Sequence, residues 1–159
     1  MLWLAAGRMS AGPQAYFESR FAHDPRRETL WRALYAYHFS RLISAQDCVL
    51  ELGAGYGHFI NQVVSRKRIA VDQWGGFTGY LRAGIEGRVG DVADLSFLAP
   101  SSVNFAFASN LFEHIDGVGK GWDAEHSPTK LFLCISGILR RLYARDCLFP
   151  YEHLRFSER

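Results

Sequence analysis

At 159 residues and ordinary apolar content, the chain has the length of one domain and enough material for a sizeable core. Its formal net charge of +2, with arginines scattered rather than blocked, gives no push toward nucleic acid or a membrane surface, and no apolar run approaches a transmembrane span. Cys48, Cys134 and Cys147 are odd in number and lack a C-x-x-C spacing, which fits buried free thiols in a reducing compartment ahead of disulfides or zinc. The apolar residues 2–6 are too short for a signal core, and Arg8 follows them where a signal's charge should precede. A cytoplasmic protein is expected. The histidines show no metal-ligand spacing, so no metal is expected.

Residues 1–14 carry Gly7, Gly12 and Pro13 and little periodicity, and read as a loose arm. Three regions are expected: an arm over 1–22, a core over 23–115, and a divergent helix and tail over 116–159. Asp24-Pro25 is a helix start, with a capping carboxylate and a proline at the first helical position. Leu30, Trp31, Leu34, Tyr35, His38 and Leu42 then recur at helical spacing. The aromatic stripe Trp31, Tyr35, Tyr37 and Phe39 is read as core packing.

Val49, Leu50 and Leu52 form a short apolar run of strand length. Gly53, Ala54, Gly55, Tyr56 and Gly57 turn the backbone, and Phe59, Ile60, Val63 and Val64 suggest a helix behind the turn. Such a helix would aim its free N–H groups into the crevice. A second strand covers 68–72 and closes on Asp72, nineteen positions after Gly53, a spacing suited to the hydroxyls of a ribose. Residues 73–80 hold three glycines and should be loop with at most a short turn of helix. A third strand near Arg88 and Val89 ends at Gly90-Asp91-Val92, and a fourth covers 103–108. Strands alternating with helices argue for a parallel sheet whose ligands sit beyond the carboxyl ends of its strands. Glu51, Asp72, Asp91 and Asn110 all fall at such ends. The predicted fold is α/β: a three-layer, Rossmann-like parallel sheet of about four to five strands, with an N-terminal helix.

The glycine spacing separates two kinds of nucleotide. Gly53, Gly55 and Gly57 make G-x-G-x-G, and His58 stands where the dinucleotide pattern G-x-G-x-x-G needs its last glycine. With Glu51 before it, this stretch resembles motif I of the class I S-adenosylmethionine (SAM) methyltransferases. The resemblance continues through Asp72, Gly90-Asp91-Val92 and Ala108-Ser109-Asn110-Leu111-Phe112-Glu113-His114-Ile115, and covers roughly residues 30–115. It implies SAM as cofactor. Gly53, Ala54, Gly55 and Gly57 would pass under its methionine and ribose portion, with Glu51 near the amino end. Asp72 would accept from the ribose hydroxyls. Asp91 would face the adenine amino group, with the Val92 amide near the ring. Asn110, Leu111 and Phe112 would line the far side, although Asn110 also suits a helix cap. Tyr16, Arg20 and Phe21 would cover the methionine end.

Methyl transfer is an in-line displacement in which the protein chiefly holds nucleophile and methyl in line, with a general base for an acidic nucleophile. His114, beside Glu113, is the candidate base, or else a histidine hydrogen-bonded into the framework. The acceptor would be a small or lipid-like molecule. After Ile115 the resemblance fails. A glycine-rich stretch leads to Ser127-Pro128, and Leu131, Ile135, Ile138, Leu139 and Leu142 suggest a further helix. The family continues with more strands, so a truncated or frame-shifted copy is one expectation. An exposed sheet edge, prone to self-association, would follow from it.

Overall fold

The computed structural model describes residues 23–109, 111, 130–135 and 138–143, the last two segments as backbone. Helix α1 spans Pro25–Tyr37. It starts as its sequence dictates: Asp24 is the N-cap, its Oδ1 accepting the Arg26 N–H at 3.0 Å, and Pro25 fills the first turn. A 3-10 turn over Phe39–Arg41 follows. Trp31, Leu34 and Tyr35 lean on the core and Phe39 is fully buried, whereas Tyr37 is 77% exposed and does not join the predicted packing stripe.

The strands are β1 (Cys48–Leu52), β2 (Lys67–Asp72), β3 (Ile85–Val89), β4 (Phe105–Ser109), β5 (Lys130–Ile135) and β6 (Ile138–Tyr143). They form one sheet in the order β3-β2-β1-β4-β5-β6. The first five are parallel to their neighbours, and β6 runs antiparallel to β5. Every residue of β1 is buried, as expected for a central parallel strand covered on both faces. Asn104 locks the entry to this centre: its Oδ1 accepts the Cys48 N–H at 2.8 Å, and its own N–H donates to the Cys48 carbonyl at 3.0 Å.

Alternation along the strands separates two cores. Val49, Ala70, Phe105 and Phe107 face α1 and pack with Phe39, Phe59 and Ile60. The Phe59 and Phe107 rings stack at 4.1 Å, and Trp31 meets Phe107 edge-on at 5.4 Å. Leu50, Leu52, Ile69, Val71, Ala106 and Ala108 face the other way, where Leu95, Leu98 and Val103 cover them. The α/β layering is as predicted; among the described residues, turns cover the second face.

The expected Rossmann-like parallel sheet is present, with six strands among the described residues. Two expectations need correction. The helix expected behind the glycine turn is a single 3-10 turn, Ile60–Gln62. Gly57, just before that turn, takes a positive φ and Val63, just after it, is already extended, so the chain turns back into β2 before an α-helix can propagate. Val64 is consequently 68% exposed, and the Tyr35 hydroxyl accepts its N–H at 2.9 Å. Finally, Leu131, Ile135, Ile138, Leu139 and Leu142 lie in strands β5 and β6 instead of a helix. The run Lys130-Leu131-Phe132-Leu133-Cys134-Ile135 is continuously apolar after its first residue, and such a run fits a buried strand as well as a helix.

Candidate functional site

The carboxyl ends of β1 and β2 meet at the glycine turn. Gly53, Gly55 and Gly57 have φ of +65°, +52° and +65°. That left-handed backbone is costly for any residue with a Cβ, which accounts for the alternating glycines. A Cβ on Gly53 would also stand 2.8 Å from Leu111 Cδ1, so the chain beyond β4 lies directly against this peptide. A Cβ on Gly57 would meet Leu81 Cδ2 at 2.9 Å. The N–H groups of Gly53 and Ala54 both donate to the Val71 carbonyl, at 2.9 and 3.2 Å, and fix the turn to β2.

Asp72 completes the junction. Its Oδ2 accepts the Gly55 N–H at 2.8 Å and its Oδ1 accepts the Trp74 N–H at 2.8 Å. Its backbone carbonyl accepts the Gly90 N–H at 3.0 Å. One residue thus ties the glycine turn, the loop after β2 and the loop after β3. Asp72 is only 5% exposed, and burial raises its pKa, opposed by the N–H groups of Trp74, Gly55 and Gln73. Glu51, also 5% exposed, lies on the face of β1 that looks toward α1. Its Oε2 accepts the Ile60 N–H at 3.0 Å, capping the 3-10 turn. Burial holds its carboxyl well above the usual range; the Ile60 bond opposes this and the Asp72 charge adds to it.

The fold therefore gathers Glu51, Gly53, Ala54, Gly55, Gly57, Asp72 and Leu111 around one junction. Asp91 follows Gly90 directly, is exposed, and caps its own turn by accepting the Ala93 N–H at 2.8 Å. Val92 is half-buried against the second core. Asn110, Phe112, Glu113 and His114, like Tyr16, Arg20 and Phe21, lie outside the described residues. Trp74 and Phe77, just past β2, are 5% and 0% exposed and belong to the packed core. Among the described residues no cluster of histidine, cysteine or acidic side chains has the makings of a metal site.

Sequence reasoning missed the aromatic group beside the turn. Tyr56 meets Trp74 edge-on at 5.1 Å and Tyr80 at 4.7 Å, and His23 stacks on Tyr80 and His58, each at 5.6 Å. Aromatic residues at 56, 58, 74 and 80 are the available signal, but their separation along the chain hides their proximity. Asn61 was missed too: it accepts the Arg82 N–H at 2.9 Å and donates to the Tyr80 carbonyl at 2.9 Å.

Solved structures share this fold. A SAM-dependent methyltransferase from Archaeoglobus fulgidus superposes with a TM-score of 0.53 at 17% identity, over 77% of this chain and 57% of that one. A SAM-dependent methyltransferase from Thermotoga maritima gives 0.51 at 15% identity, over 76% and 54%. Phosphoethanolamine N-methyltransferase 1 from Haemonchus contortus, in complex with phosphoethanolamine and S-adenosylhomocysteine, gives 0.50 at 18% identity, over 68% and 26%. No protein-family profile matches the chain, and no curated protein sequence matches it. The fold is the Rossmann-like α/β fold of SAM-dependent methyltransferases. The chain spans between about a quarter and three fifths of the length of these structures.

Proposed function

We propose that the chain binds SAM at the junction of β1, β2 and β3 and transfers its methyl group to a small-molecule or lipid-like acceptor. The observation that carries this reading is the bond from the Gly55 N–H to Asp72, which joins a side-chain-free turn to a strand-end acid. The residues suit the cofactor. A carboxylate offers about four acceptor positions, and the N–H groups of Gly55, Trp74 and Gln73 account for three at Asp72. One remains for a ribose hydroxyl. Gly53 carries no side chain, and Leu111 packs against it as an apolar wall. Asp91, exposed at the next strand end, would accept from the adenine amino group, with the Val92 amide beside it.

When bound, SAM supplies a methyl group on a good, neutral leaving group. The chain's own part is to hold and orient, and His114 with Glu113 would take a proton from an acidic acceptor. A second reading, a SAM-binding fragment without turnover, is favoured by the short span relative to the methyltransferase structures. Cytoplasmic residence fits the buried free thiol Cys48. Among the described residues no helix is long and apolar enough to cross a membrane. Self-association would run through the β3 edge, where Val89 is 58% exposed.

Calorimetry of the full chain with SAM, S-adenosylhomocysteine and NAD tests the reading. Heat with the first two and none with NAD is expected, with at least tenfold weaker SAM binding in Asp91→Ala. Heat with NAD alone would overturn it. Binding without methyl transfer to any of a panel of amine, hydroxyl and phospholipid acceptors would favour the second reading.

A further inference from the structure

We propose that two copies of the chain pair through β3, antiparallel about a two-fold axis at Gly87, so that their sheets run on as one. This deepens the self-association assigned above to the β3 edge by naming the partner and its register, and it does not depend on SAM binding.

The first observation is in the sequence. Gly84-Ile85-Glu86-Gly87-Arg88-Val89-Gly90 is self-complementary about its central glycine. Laid antiparallel on a copy of itself, each Ile85 faces a Val89, each Glu86 faces an Arg88, and Gly87 faces Gly87. Opposite charges directly across a ladder favour pairing, and no like charges meet. Glycine stands at both ends, and a Cβ added to Gly90 meets nothing within 4 Å, so no side chain there obstructs the approach. A two-fold interface needs a patch that complements itself in this way.

The second observation is the edge itself. Among the described residues β3 pairs with β2 alone. The Gly90 N–H donates to the Asp72 carbonyl on β2 at 3.0 Å. Backbone groups alternate along a strand, so those of Glu86 and Arg88 also face β2, and those of Gly87 and Val89 point away from the sheet. Gly87, Arg88 and Val89 are exposed. In the proposed register Gly87 exchanges both its bonds with Gly87 of the copy, and Ile85 does so with Val89. The charged face is already set: Arg88 donates to Glu86 at 2.8 Å and rests on the Phe97 ring at 4.6 Å.

The strand Ile85–Val89 is short against the about 1,200–2,000 Å² of a stable interface, so a weak dimer is expected, with Kd on the order of 100 µM. Analytical ultracentrifugation of the full chain, taken to about ten times that concentration, measures it. Glu86→Arg sets arginine against arginine, and Arg88→Glu sets glutamate against glutamate, so each variant alone should stay monomeric. Mixed in equal amounts, the two should dimerise as the native chain does, because every facing pair is again of opposite charge. Val89→Pro changes an exposed residue whose N–H points away from β2, so the fold should tolerate it, and it should weaken the dimer about tenfold or more. A native chain that stays monomeric would overturn the proposal and mark Glu86 and Arg88 as charges that guard the edge. A single charge variant that dimerises like the native chain, or a mixture that does not, would also overturn it. If a charge variant does not fold, native-like dimerisation of Val89→Pro would do the same. Calorimetry with SAM on the same samples reads the glycine-turn junction, so the two readings fail separately.

Discussion

Asp72→Ala is the substitution that tests the junction most directly. It removes the acceptors of the Gly55 and Trp74 N–H groups, both bonded at 2.8 Å to a side chain that is 5% exposed. A buried donor left without a partner costs about 1–3 kcal/mol, so the pair sets a range of about 2–6 kcal/mol. Burial of the carboxylate, which raises its pKa, works against the native residue, and losing that burden returns part of the cost. The net expectation is therefore the lower part of the range, about 2–3 kcal/mol. At about 2–4 °C per kcal/mol for a chain of this size, the melting temperature should fall by about 4–12 °C. Urea and thermal unfolding followed by circular dichroism measure this, and amide exchange at Gly55 should accelerate. Asp72→Asn retains one oxygen, keeps one of the two bonds and should lose less. An unchanged midpoint with a still-protected Gly55 amide would show that the carboxylate does not hold the turn.

Glu51→Gln should melt higher than the native chain at neutral pH. Its folded pKa lies above the unfolded value of about 4.5, so the folded chain holds this proton more tightly. The stability it confers is complete below pH 4.5 and is lost as pH rises through the folded pKa, at about 1.4 kcal/mol per pH unit. The glutamine carries no such dependence, so the two melting curves should converge at acid pH and separate as pH rises; parallel curves would refute the assignment. Gly53→Ala should cost about 1–2 kcal/mol for its left-handed backbone and more for displacing Leu111, and should abolish SAM heat in calorimetry. Gly75→Ala, where an added Cβ meets nothing within 4 Å, is the control and should leave the melting temperature unchanged.

The parts of the fold legible in sequence are those specified by local chemistry. Asp24-Pro25 encodes its own cap, and the strand β1 and its glycine turn follow from an apolar run ending in residues that tolerate positive φ. The strand-end position of Asp72 was legible too, but its bond to Gly55 was not, because it joins residues seventeen positions apart. The failures lie where periodicity has two solutions. Phe59, Ile60 and Val63 are all buried, as a helix would place them, yet the return to β2 leaves only a 3-10 turn. The residues that pair in β5 and β6 also satisfy a helical stripe. Ser136-Gly137 between the two apolar runs was the overlooked sign of a hairpin, consistent with Ile135 facing Ile138 across the sheet.

The bonds made by Asp72 have a dynamic consequence. Three connecting segments are fastened to one residue, so no one of them can loosen alone without giving up a bond to the same anchor. Their amides should exchange with solvent as a single cooperative unit, and a molecule that immobilises any one segment should slow exchange in the other two.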